Sequence, residues 1–103
     1  MPRVVFHEDF ERDVRKQIAY LRAQGEETRV FGLLEDLAEL KELLASFPEA
    51  GRELTRQGTE SLRKLKARRS PFFVWYSFEP DLDEVTFFRL FHGRQRTLEP
   101  RLP

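Results

Sequence analysis

The order of apolar and polar positions divides the chain into a helical first half and a strand-rich second half. Arg3-Val4-Val5-Phe6-His7 is a short run of β-branched and aromatic residues and predicts a strand. Glu8 and Asp9 follow, acids where a helix N-terminus favours them. Phe10, Val14, Ile18 and Leu21 then recur on one helical face, and Gly25 is a natural stop. A second helix is predicted from about Glu27-Thr28. Its apolar residues Val30, Leu33, Leu37, Leu40, Leu44 and Phe47 alternate by three and four, widened by Leu34 and Leu43, and Pro48 ends it. The short link at Gly25 implies an antiparallel helical hairpin; a coiled-coil dimer is the other use of such a seam.

The period becomes two-fold from residue 61. Ser61–Arg68 reads as a basic strand, Ser70-Pro71 as a turn, and Phe72–Phe78 as the clearest strand of the chain. Phe72, Val74, Tyr76 and Phe78 point one way; Phe73, Trp75 and Ser77 point the other. With both faces largely apolar, this strand is expected to be central. Residues 79–83 read as a hairpin loop. Glu84–His92 is the last strand, with Val85, Phe87, Arg89 and Phe91 on one face and Thr86, Phe88, Leu90 and His92 on the other. Residues 93–103 are expected to leave the sheet. The predicted order is β-α-α-β-β-β, an α+β domain over 1–103 with a helical hairpin on a small antiparallel sheet. The first strand is expected at an edge or beside the last strand.

Composition narrows the chemistry. There is no cysteine, which removes disulfides, thiolate zinc ligands and thiol catalysis, and suits a cytoplasmic protein. No secretory signal or transmembrane run is read, so no membrane partner is expected. No phosphate-binding loop, dinucleotide fingerprint or metalloprotease motif occurs, and neither a cofactor nor a metal is expected. The net charge is zero, yet residues 31–50 sum to −4 and residues 51–70 to +5. Such a basic block suggests an anionic partner; a soluble strand edge carries lysine and arginine for a blander reason. Lys64, Lys66, Arg68, Arg69, His92, Arg94 and Arg96 have the residue types that RNA cleavage needs, a proton carrier beside cations for the phosphate. His92 is equally a strand-end residue with one nitrogen bonded to backbone. Phe72, Phe73, Trp75, Tyr76, Phe87 and Phe88 are either a stacking platform or, more simply, core.

The Leu-Arg-Lys-Leu segment at 62–65, Ser-Pro-Phe-Phe-Val-Trp-Tyr at 70–76, an acidic loop, a strand and Phe-His-Gly-Arg-Gln-Arg at 91–96 resemble, in that order, the RelE/ParE superfamily of type II toxins. Pro71–Tyr76 and His92-Gly93-Arg94 look like the ParE branch. The resemblance implies a toxin that a cognate antitoxin neutralises in a hetero-oligomer. The antitoxin would lie along the leucine-rich helices and the sheet edge. Partner or target contacts are expected at Arg63, Lys64, Lys66, Arg68, Arg69, Arg94 and Arg96, and at Leu33, Leu37 and Leu40.

RelE-like members cut mRNA on the ribosome, and for that chemistry Lys64, Lys66, Arg68, His92 and Arg94 are the candidates. Phe73 stands where that pattern has an arginine, and no tyrosine follows Tyr76. ParE-like members are associated with DNA gyrase. The resemblance therefore implies a ParE-like toxin without nuclease chemistry, with an RelE-like endonuclease and a non-toxic partner-binding relative as the other readings.

Overall fold

A computed structural model describes residues 1–94. The elements are β1 (Arg3–Phe6), α1 (Glu8–Ala23), α2 (Glu27–Ser46), β2 (Arg52–Gln57), β3 (Glu60–Lys66), β4 (Phe72–Glu79) and β5 (Glu84–His92). They build a five-stranded sheet in the order β1-β5-β4-β3-β2. Arg94 is the last described residue, so Arg96 and most of the segment after β5 lie outside the description.

His7 opens α1 instead of ending β1. Its Nδ1 accepts the Asp9 amide at 3.1 Å, satisfying one of the unpaired donors of the first turn. Glu8, Asp9 and Glu11 add favourable charge there. Gly25 takes φ +70° and lets the Glu26 amide return to the Leu21 carbonyl, closing α1. Both helices pack on one face of the sheet. Phe10, Leu21, Val30, Leu33, Leu40 and Leu44 meet Val74, Tyr76, Phe87 and Leu90 in a single core, with Val14, Ile18 and Leu37 at its margin. No described helix is long and apolar enough to cross a membrane.

Three features depart from the predicted order. First, the sheet has an additional edge strand, β2, antiparallel to β3. Its residues are nearly all exposed, so it shows no apolar alternation. Gly58 at φ +61° turns it into β3. Second, β1 lies beside β5 and at the edge, as expected, but runs parallel to it, so the sheet is mixed. Third, β5 carries a bulge. Trp75 pairs with Arg89 while Tyr76 pairs with Phe87, and the extra residue shifts the alternation. Val85 and Phe87 face the helices before the bulge, and Leu90 does so after it. Phe91 is thereby turned to the opposite face, against Trp75 and Phe73, not alongside Phe87 as strict alternation predicts.

The bulge lies just beyond the end of β1. There the Asp13 carboxylate of α1 accepts the Leu90 amide at 3.0 Å and the Arg89 guanidinium at 2.7 Å. A side chain thus replaces the missing strand partner.

Candidate functional site

The basic block of residues 51–70 is largely occupied inside the molecule. Arg63 is 8% exposed, and its guanidinium donates to Ser61 Oγ at 2.9 Å and to the Gly51 and Glu49 carbonyls at 2.8 and 3.2 Å. It holds the segment that leads into β2. The phenol of Tyr76 holds the same segment, donating to the Pro48 carbonyl and accepting the Gly51 amide, both at 2.8 Å. Burial raises the Tyr76 pKa, against the lowering effect of the Gly51 hydrogen bond.

Arg69 meets the acidic face of α2, with Glu39 at 2.7 Å, Asp36 at 3.5 Å and Glu35 at 3.9 Å. The Glu39 hydrogen bond and charge raise its pKa further. Asp36 is fully buried. Its carboxylate accepts the Ser70 hydroxyl at 2.6 Å, the Ser70 amide at 2.7 Å and the Arg69 amide at 3.2 Å. Burial works to raise the Asp36 pKa. The Ser70 and Arg69 hydrogen bonds, with the Arg69 charge, outweigh it and hold the carboxyl below its ordinary value. The acidic and basic blocks of the sequence are therefore partly each other's partners, through the β3–β4 turn.

Lys66 Nζ donates to the Ala67 carbonyl at 3.1 Å and the Ser70 carbonyl at 3.4 Å. Arg68 lines a groove of about 670 Å³ with Glu39, Glu42, Leu43 and Phe47.

Lys64 has a different setting. Cross-strand pairing places it opposite Trp75, on the sheet face turned away from the helices. Its ammonium lies 4.6 Å from the Phe73 ring centre and 5.5 Å from that of Phe91. Phe73 and Phe91 stack at 5.6 Å, and Trp75 tilts onto Phe91 at 4.6 Å. Trp75 and Phe91 are each 6% exposed, and the Trp75 indole nitrogen is buried without a hydrogen-bond acceptor among the described residues. No ion pair joins Lys64 to a carboxylate among the described residues.

His92 is on the other face. It pairs with Phe72, a core residue on the helix side, and the two rings meet edge-on at 5.4 Å. Its Nδ1 accepts the Arg94 amide at 3.0 Å, repeating the His7 geometry. His92, Arg94 and Arg69 line a groove of about 540 Å³ with Tyr20, Arg29 and Phe72. Phe72 and Phe73 are neighbours in one strand and so point to opposite faces. Lys64, on Phe73, and His92, on Phe72, are thus separated by the sheet.

The leucines expected to meet a partner are mostly internal. Leu33 and Leu40 belong to the buried core, and Leu37 lines a groove of about 350 Å³ between the helices with Phe6, Phe10 and Val14. The apolar residues that α2 presents outward are Phe31, Leu34, Leu43 and Phe47. They fall outside the three-four seam or at its end, which was the available signal. Phe73 and Trp75 share the open face as the alternation predicts, and the place of Phe91 beside them was hidden by the bulge.

The sequence profile described as "ParE toxin of type II toxin-antitoxin system, parDE" matches residues 4–97. The chain belongs to this ParE toxin family. The match spans every described element, from β1 to the turn after β5. A solved structure titled "Chromosomal ParDE TA system from P. aeruginosa" is similar at 17% identity, with a TM-score of 0.68 over 89% of this chain and 96% of that one. That likeness is one of fold. No curated protein matches the chain. As a ParE-family chain it is the toxin component of a type II pair, and such a pair implies an antitoxin partner.

Proposed function

We propose that this ParE-family toxin acts in the cytoplasm by binding a protein target, with DNA gyrase the target that the family resemblance implies, and that its antitoxin covers the open sheet face and the outward residues of α2. The observation that carries this reading is the separation of Lys64 from His92 by the sheet. An RelE-like arrangement would need the strand lysines and His92 at the same phosphate, whereas His92 shares its groove with Arg69 and Arg94 and not with the lysines. Here Lys64 packs on aromatic rings on one face and His92 packs on Phe72 on the other. Arg63 and Arg69 are engaged in internal bonds, and Lys66 is turned to carbonyls of its own turn. The open face sets the cations Arg52, Lys64 and Lys66 around a largely buried ring cluster, and the outer face of α2 offers exposed apolar side chains. These are features of a protein-binding surface.

The test is toxicity of substituted chains on induced expression. His92→Ala and Lys66→Ala are expected to arrest growth like the unsubstituted toxin. Loss of arrest by both, with the folded protein present in normal amount, would favour an RelE-like endonuclease. Absence of arrest for the unsubstituted chain would make it a partner-binding relative without toxicity.

A further inference from the structure

We propose that the open sheet face holds a phosphodiester backbone through a row of cations made by Arg52, Lys64 and Lys66. The proposal stands apart from the protein target above and concerns nucleic acid. Arg52 is directly opposite Lys64 on β2 and β3, so a guanidinium and an ammonium stand side by side on the face turned away from the helices. Like charges directly opposite each other in a ladder are destabilising, and an anion between them removes that cost. Lys66 follows Lys64 on the same face, opposite Phe73 and about 6.6 Å further along β3. The rings of Phe73 and Phe91 lie 4.6 and 5.5 Å from the Lys64 ammonium and hold it on the face. Arg52 and Lys66 are exposed. Glu53, the acid beside Arg52 in sequence, is turned to Arg56 and Arg63 instead. Beyond Arg94 the sequence adds Arg96 and Arg101 against Glu99, so the rest of the chain brings no net negative charge to this row.

The acids of this face stand at the other end of the strands. Glu60 is four residues from Lys64 on β3, and Glu79 is four from Trp75 on β4. Each is about 13 Å away along its strand, beyond the screening length of about 8 Å at physiological salt. Glu84 is bound by Arg3. An acidic peptide fits the cation row less well than a nucleic-acid backbone. Peptide recognition takes side-chain pockets as well as charge, and here Leu62, Trp75 and Phe91 are buried, so the centre of the face is closed. The same closure leaves no open ring for base stacking. What remains is charge in a row, which holds a polyanion by its backbone and not by its sequence.

The experiment follows the anisotropy of a short fluorescein-labelled DNA strand, alone or in its duplex, as the full chain is added at increasing salt. Three phosphate contacts predict that log K falls with log salt at a slope of about −2 to −3. Arg52→Gln, Lys64→Met and Lys66→Met are each expected to weaken binding to two unrelated sequences by the same factor and to reduce the slope by about one. Arg12→Gln removes an equal charge from α1, where Arg12 pairs with Asp9, and is expected to change neither. Arg52→Gln should also melt no lower than the unsubstituted chain, because it relieves the repulsion with Lys64. The tighter of strand and duplex identifies the form that the row takes. Absence of binding, a slope near zero, an equal loss in Arg12→Gln, or tighter binding of an oligo-glutamate of the same charge would each overturn the proposal. None of these outcomes depends on growth arrest or on gyrase, so this contact and the reading above fail separately.

Discussion

Replacing Asp36 with alanine should be among the damaging single changes on α2, although it removes few atoms. Asp36 is fully buried, and its carboxylate takes the Ser70 amide, the Ser70 hydroxyl and the Arg69 amide within 3.2 Å. Hydrogen bonds to a charged acceptor contribute about 1.5–3 kcal/mol each. The hydroxyl can turn to another acceptor, and the turn is partly open to water. Two amide bonds at the low end of the range therefore give about 3 kcal/mol. For a chain this size that is a fall in Tm of roughly 12–24 °C. Glu39→Ala is the control. It removes the shorter contact to Arg69, yet both partners are more than one-third exposed, so it should cost less than about 1 kcal/mol. Urea unfolding followed by Trp75 emission measures both.

The pH dependence follows from the lowered Asp36 pKa. A carboxyl more acidic in the folded state than in the unfolded one stabilises above the unfolded value, and that contribution disappears as pH falls through the folded value. The gap between the unsubstituted chain and Asp36→Asn should therefore be full at neutral pH and shrink only below the ordinary aspartate range. A loss below about 1 kcal/mol for Asp36→Ala, or a gap that closes near neutrality, would refute the latch between α2 and the β3–β4 turn.

Other substitutions probe the remaining anchors. Tyr76→Phe should cost about 1–3 kcal/mol, because the Gly51 amide and the Pro48 carbonyl both lose their partner; urea titration measures it. Gly51→Ala should also destabilise, by about 1–3 kcal/mol in a thermal melt, since its Cβ would stand 2.7 Å from the Tyr76 hydroxyl and 2.9 Å from the Lys64 carbonyl. Asp13→Ala should accelerate amide hydrogen exchange at Leu90 more than at Val85, which lies where β1 is paired.

The helices and the central strand were readable because burial imposes a period. Phe10 to Leu21, Val30 to Leu44 and Phe72 to Phe78 keep that period from end to end. β2 imposes none. It is an edge strand whose side chains meet water on nearly every side, so Arg52–Gln57 reads like a loop. The bulge at Phe88-Arg89 is invisible for another reason. Both residues suit a regular strand, and the extra residue is set by where β1 ends and Asp13 takes over the pairing. That one residue moves Phe91 from the expected core face to the side of Lys64. Charge was incompletely legible for a third reason. A block of +5 after a block of −4 reads as a surface for a partner, and one of its cations, Arg69, is joined to Asp36 and Glu39 within the chain. Local sequence carries the sign of a charge and not its distance to the opposite one.

The most direct measurement is on cells arrested by induction of this toxin, mapping gyrase–DNA cleavage complexes and ribosomal mRNA ends in the same culture. The account predicts trapped gyrase–DNA complexes with intact mRNA, unchanged by His92→Ala. Ribosome-dependent mRNA cuts that vanish in His92→Ala or Lys64→Ala would contradict it and place the chemistry on residues that the sheet holds apart.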